Sequence, residues 1–232
     1  LIRAVNMLPE AAHILQPLFV FLGLFGMLYG GLLAWRQTDL KAMVAYSSIS
    51  HMGIVLLGIS TLNEIGFTGA VIQMSAHGLI AGALFLMVGL LYDRTHSRNI
   101  HDYSSLIQIM PRFALLMTLT LLAAMGLPGS IGFIAELHAL IGGFQEWGGL
   151  MIFFSISILI SAAYSMRTIG ILFTGPVKSP MKLINDLNTT ELFASGLLVS
   201  FIVLLGLMPT SLIELSAATI EQMNNHIGQR LL

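Results

Sequence analysis

The chain alternates between long apolar stretches and short polar ones. Six stretches approach or exceed the length of a membrane crossing: about residues 16–35, 40–59, 66–92, 112–144, 148–173 and 191–208. A helix needs about 20 mostly apolar residues to cross a bilayer. None of the six alternates with a period of two, as barrel strands do, and in lipid only helices and closed barrels satisfy their backbone. The pattern therefore predicts an all-α polytopic membrane protein with about six transmembrane helices. The fourth stretch is interrupted by Gly126-Leu127-Pro128-Gly129-Ser130, followed by Gly132. Proline removes a backbone donor and glycine weakens a helix, so a non-helical stretch is expected there.

The polar segments are short. The longest, residues 93–110, is too small for a domain, and Asp93-Arg94 within it reads as a solvated loop pair. Residues 211–227 carry Leu212, Ile213, Leu215, Ile220 and Met223 and read as a short amphipathic helix on the outer interface. Basic residues sort by side. Arg36, Lys41, Arg94, Arg98, Arg112, Arg167, Lys178 and Lys182 fall on one side, and Arg3 and Arg230 on the other, a split of 8 to 2. The positive-inside rule puts the richer side in the cytoplasm or matrix and both ends of the chain outside.

Composition agrees and removes alternatives. Charged residues are 9% and hydrophobic residues 56%, with a mean hydropathy of +0.88. An ordinary soluble domain carries about 25% charged residues. A net charge of −1 offers no basic surface to nucleic acid. No phosphate loop, dinucleotide fingerprint, CxxC or HExxH occurs, and the many Met and Phe read as lipid-facing or core filler, not a metal or cofactor box. The sequence opens at Leu1 without a start Met or a signal peptide, which reads as a piece of a longer chain.

Candidate chemistry lies at mid-depth, where an ionisable side chain is costly and is read first as functional. At about 1.5 Å per residue, His51 lies about 15 Å from the Lys41 end of its helix and His77 about 16 Å into the third. Glu136 lies about 12 Å from the end of the fourth, just past the break. Ser47 and Ser48 precede His51 by one turn, Gln73 precedes His77 by four residues, and Ser157, Ser161, Tyr164 and Ser165 form a polar stripe on the fifth helix. Histidine titrates near neutral pH and can accept or donate a proton. His, Glu and hydroxyls together suit a proton relay. The competing reading is structural: a histidine bridging two helices, a proline that only kinks. His138, two residues from Glu136, faces another way and reads as packing or interfacial. Lys41 and Asp39 sit at a helix end, where plain interface anchoring competes with function.

At these residues a family resemblance enters. Gln37-Thr38-Asp39-Leu40-Lys41 with Ala45-Tyr46-Ser47-Ser48-Ile49-Ser50-His51-Met52-Gly53, then Ala76-His77-Gly78-Leu79 and Tyr92-Asp93-Arg94-Thr95-His96-Ser97-Arg98, resemble the antiporter-like subunits of respiratory complex I. Gly126-Leu127-Pro128-Gly129 with Phe133-Ile134-Ala135-Glu136-Leu137 is similar to the M-type (chain 4) members, which carry Glu in the broken helix; Ala135 stands where Gly is frequent. The resemblance implies that residues 1–173 are the second five-helix repeat of the antiporter-like fold. Residues 174–232 would then be a cytoplasmic or matrix loop, a last transmembrane helix and an interfacial tail. It implies a proton-translocating subunit of an NADH-quinone oxidoreductase, with His51, His77 and Glu136 on the central polar axis and Lys41 on a family lysine. It also implies no redox chemistry on this chain, with NAD, FMN, iron–sulfur clusters and quinone in partner subunits. The partners would be neighbouring membrane subunits, lipid, protons and internal water. The setting would be a bacterial inner membrane or, alternatively, the mitochondrial one. The homologous subunit of a cation/proton antiporter or membrane-bound hydrogenase is the alternative, and a structural piece without transport is a third class.

Overall fold

The computed structural model describes residues 1–178 and 184–231, and its regular structure is helical. The helices are α1 (Ile2–Met7), α2 (Pro9–Arg36), α3 (Leu40–Ser60), α4 (Glu64–Thr95), α5 (Leu106–Ile109), α6 (Pro111–Ala124), α7 (Ile131–Trp147), α8 (Met151–Phe173), α9 (Thr189–Leu207) and α10 (Thr210–Leu231). Among the described residues five helical runs are long and apolar enough to cross a membrane, one of them the 43-residue run Ile131–Phe173. That run is two helices, because Gly148 adopts φ +52° and a tight turn over Gly148–Leu150 separates α7 from α8. The 14 residues of α6 are too few to cross alone. Taken with α7 as one broken crossing, and with α8 counted separately, they give the six crossings the apolar pattern predicts.

The end bearing most of the basic residues is tied together by caps. Asp39 caps α3 by accepting from Ala42 N at 2.9 Å, and an antiparallel bridge joins it to Asn99. Asp186, from the segment before α9, accepts from Arg112 N (2.9 Å) and Phe113 N (3.2 Å) and so caps α6. Asn188 and Glu191 form a capping box at the start of α9. Arg94 does not pair with Asp93: α4 runs on to Thr95, and Arg94 reaches Glu191 and the Asn185 carbonyl (3.0 Å) instead. Successive helical residues point in different directions, so Arg94 is free to meet the acidic start of α9. Lys182 lies outside the described residues.

Small residues let the helices approach closely, as membrane bundles require. A Cβ on Gly53 would lie 2.6 Å from the Gly23 carbonyl, which closes the α2–α3 seam. A Cβ on Gly69 would lie 2.5 Å from Ala139 N, where α4 meets α7. Asn63 caps α4 through Gly66 N (2.8 Å) and donates to the Gly142 carbonyl of α7 (3.0 Å).

Two boundaries differ from the sequence reading. The first crossing helix begins at Pro9, not near residue 16, because Gln16 is buried and donates to Glu146 of α7 at 3.0 Å. The C-terminal helix has 22 residues, longer than the amphipathic stretch 211–227 read from the sequence, with one face buried and most other positions exposed. Its Ile220 and Ile227 are buried with Val5, Ala12, Ile59 and Phe67, so α10 closes the end of the bundle opposite the basic one, while Leu215 is 81% exposed.

Candidate functional site

The centre of the molecule is the gap between α6 and α7. The helix stops at Ala124, Gly126 and Gly129 take φ +75° and +97°, and Ser130 starts α7 by accepting from Phe133 N. Positive φ is strained for any residue with a side chain, which is why glycine stands at both corners. From α9, Gly206 presses on this loop so closely that a Cβ there would lie 2.3 Å from the Ser130 carbonyl carbon.

The break leaves one carbonyl in particular without a helical partner. Four residues after Ala124 stands Pro128, which has no N–H. The Ala124 oxygen instead accepts from two other helices, from His51 Nε2 on α3 at 3.1 Å and from Ser161 Oγ on α8 at 3.3 Å. A carbonyl can only accept, so Nε2 of His51 carries a hydrogen and Nδ1 is left as the acceptor of the neutral ring. Ser161 Oγ also lies 3.0 Å from Tyr164 Oη. Both His51 and Ser161 are buried.

Glu136 is placed one and a half turns into α7, 6% exposed. Its Oε2 occupies the space a side chain at position 126 would need: a Cβ on Gly126 would lie 2.1 Å away. The carboxyl is thus lodged against the bare backbone of the break. His77, on α4, turns its ring edge toward His51, with ring centroids 5.6 Å apart and planes at 65°. Its Nδ1 and the Gln73 Oε1 are buried polar atoms without a protein partner.

The sequence-predicted residues therefore divide. His51 and His77 meet, Glu136 enters the same break, and Lys41 stays apart. Lys41 is exposed at the start of α3, in a cleft of about 210 Å³ with Phe85, Val88, Gly89, Tyr92 and Arg98. His138 bonds the Ile134 carbonyl of its own helix at 2.8 Å. Sequence reasoning missed the Ala124 carbonyl and the space at Gly126. The first had a signal, a proline four residues downstream; the second had none, because which side chain fills a glycine's place is a tertiary matter. Among the described residues no cluster of His, Asp and Glu is arranged to hold a metal ion.

Comparisons with known proteins agree with this architecture. Residues 1–161 match the family model described as NADH:quinone oxidoreductase/Mrp antiporter, transmembrane. The chain is 37% identical over 218 residues to NADH-quinone oxidoreductase subunit M of Rhodobacter capsulatus, covering 94% of this chain and 43% of that protein. Its fold matches a chain of respiratory complex I from Thermus thermophilus with a TM-score of 0.88 at 31% identity, over 94% of this chain and 46% of that one. It matches a chain of the Mrp complex from Dietzia with a TM-score of 0.83 at 20% identity, over 96% and 51%, a likeness of fold alone. The chain spans less than half the length of the curated relatives it matches. With a family model covering most of its length and a multi-pass helical membrane fold, this chain belongs to the NADH:quinone oxidoreductase/Mrp antiporter transmembrane family.

Proposed function

We propose that this chain is a proton-translocating part of an NADH-quinone oxidoreductase, with residues 1–173 its second antiporter-like repeat. In this reading protons pass along His77, His51 and Glu136, with water completing the gaps. The observation that carries it is the break itself. A carboxyl sits against bare backbone at Gly126, beside a carbonyl that a histidine and a serine from two other helices complete. An intramembrane carboxyl and histidine pair, facing protein and not lipid, is a costly arrangement that a purely structural piece would not need.

In this reading the redox chemistry would lie on partner subunits and this chain would carry protons. NAD, FMN, iron–sulfur clusters and quinone would belong to partner subunits, and the other membrane subunits would be its neighbours. The bacterial inner membrane is the setting that fits relatives such as those of Rhodobacter capsulatus and Escherichia coli. Lys41, at the basic end of α3, would serve the uptake side and not the centre. A cation/proton antiporter subunit would share the fold; the higher identity to subunit M favours the oxidoreductase.

The test is Glu136→Gln in the whole complex. Glutamine keeps size and hydrogen bonding and cannot titrate. Proton pumping into vesicles, followed with a pH-sensitive dye during NADH oxidation, should fall by at least about tenfold while the complex assembles. Wild-type pumping by an assembled Glu136→Gln complex would overturn the reading. Pumping driven by a Na⁺ or K⁺ gradient without NADH would favour the antiporter.

A further inference from the structure

Between the start of α3 and the end of α4 lies a cleft far from the break. Phe85, Val88, Gly89 and Tyr92 of α4 line it together with two cations, Lys41 and Arg98, and its volume is about 210 Å³. Tyr92 and Arg98 also line a wider hollow of about 490 Å³, whose other residues include Thr38, Asp39, His96 and Asn99. The two spaces meet at this shared pair, so the whole is polar at one end and apolar at the other. The backbone fixes the arrangement. Leu40 N donates to the Arg98 carbonyl at 2.9 Å and Ile100 N to the Thr38 carbonyl at 2.8 Å, which pins the loop after α4 to the start of α3. The Arg98 guanidinium lies 4.7 Å from the centre of the Tyr92 ring, a cation over an aromatic face.

Charge and depth both point to one kind of ligand. Lys41 and Arg98 are exposed, and among the described residues neither forms an ion pair. The carboxylate in the hollow, Asp39, is engaged in capping α3 through Ala42 N at 2.9 Å. The 21 residues of α3 span about 30 Å, the thickness of the hydrocarbon core, so Lys41 at its start lies at the boundary with the headgroups. Measured along α4 from its end at Thr95, Gly89 lies about 9 Å deeper and Phe85 about 15 Å deeper. A Cβ on Gly89 would meet nothing within 4 Å, so the missing side chain leaves open space along the wall. Tyr92 stands near the boundary, where tyrosine is common in membrane helices.

We propose that this cleft binds an anionic phospholipid, with its phosphate at Lys41 and Arg98 and one acyl chain along Phe85, Val88 and Gly89. Arginine meets phosphate oxygens with its planar fork and lysine as a point charge, so the pair suits one headgroup phosphate. Cations at the membrane surface attract anionic lipid. A zwitterionic lipid brings its own cation to a place that already holds two. A free phosphate would use the charged end alone and leave the apolar wall uncovered, whereas an acyl chain covers it. The lipid site is independent of the proton-relay reading: it shares none of His51, His77 and Glu136, and its test does not measure pumping.

The experiment uses the assembled complex in phosphatidylcholine vesicles doped with a photoactivatable phosphatidylglycerol or, separately, a photoactivatable phosphatidylcholine. Crosslinks are mapped by peptide mass spectrometry. The anionic probe should label residues 85–98 at least about fivefold more than the zwitterionic one, the ratio that one surface charge supplies. Arg98→Gln and Lys41→Gln should each lower that labelling by about fivefold. Gly89→Leu, whose added side chain meets no protein atom at its Cβ, should fill the groove and abolish it. Arg112→Gln, which removes a charge from the same end outside the cleft, should leave it unchanged. Millimolar glycerol phosphate should not compete with the probe. Equal labelling by the two lipids would make the cleft ordinary lipid-facing surface and overturn the proposal. So would labelling that survives both Arg98→Gln and Gly89→Leu. Displacement by glycerol phosphate would make it an anion site without a lipid. No labelling of this segment in the assembled complex would mean that a protein neighbour fills the cleft, which also overturns the proposal. The comparison of the two probes on the unaltered complex decides even if a variant fails to assemble.

Discussion

The helices α2 and α3 each run on without a non-helical gap, and they close on each other because Gly23 and Gly53 let backbone approach backbone, with Ser50 Oγ of α3 donating to the Met27 carbonyl of α2 at 2.8 Å. Between α6 and α7 the chain does the opposite. It gives up helical bonds at mid-depth and lets side chains from α3 and α8 complete one of the freed carbonyls. Glycine serves both places. In the seam its absence of a side chain brings backbone to backbone; in the break it allows positive φ at Gly126 and makes room for a carboxyl. A close-packed seam holds the bundle together, whereas a break supplies polar groups that can exchange protons. The two should therefore fail differently when altered.

The largest effect is expected from Gly53→Leu. A Cβ alone would come within 2.6 Å of the Gly23 carbonyl and of Met27, and the remaining side chain has nowhere to go. Overpacking of about 3 kcal/mol should prevent assembly, seen as loss of the intact complex on native gels. Pumping by a normally assembled Gly53→Leu complex would show that the seam is looser than its geometry. Next comes Gly126→Ala. It costs about 1–2 kcal/mol for a side chain at positive φ and displaces the Glu136 carboxyl. Assembly should survive and pumping in vesicles should fall by about tenfold, a split the seam variant should not show.

A pair of substitutions at His51 sharpens the comparison further. His51→Ala removes one of the two donors to the Ala124 carbonyl and should lower thermal stability by about 1–2 kcal/mol. His51→Gln can still donate to that carbonyl and should restore most of the stability. It cannot titrate, so pumping should stay low in both. Equal pumping in His51→Gln and the wild type would make the ring a helix bridge only. The smallest effect is expected from Pro128→Ala. Gly126 and Gly129 already fix the two turns, and Gly206 backs the loop, so an added N–H at position 128 has no helix to rejoin. Pumping should change by less than about twofold.

How much of this was legible in the sequence follows from the range of each interaction. The crossings, the break and the basic end could be read because hydropathy, proline and charge act locally along the chain. The limits of α2 and α10 could not, since Gln16 and Ile220 are buried by distant partners. The Asp93-Arg94 pair looked local and was not, because the acidic start of α9 offers Arg94 a better-placed partner.

The candidate site divides in the same way. The sequence by itself determined that two histidines and a glutamate lie at similar depth, since rise per residue and distance from the helix ends fix depth. It also determined that the helix would break after Ala124, where Gly126, Pro128 and Gly129 stand. Only the tertiary structure decided that His51 and Ser161 would meet on the Ala124 carbonyl, that His77 would turn to His51, and that the Glu136 carboxyl would fill the space at Gly126. Depth is a property of one helix, but rotation about the helix axis is set by the neighbours it packs against. That rotation is what brings polar groups of two helices to one oxygen on a third and leaves Lys41, on the same helix as His51, facing outward.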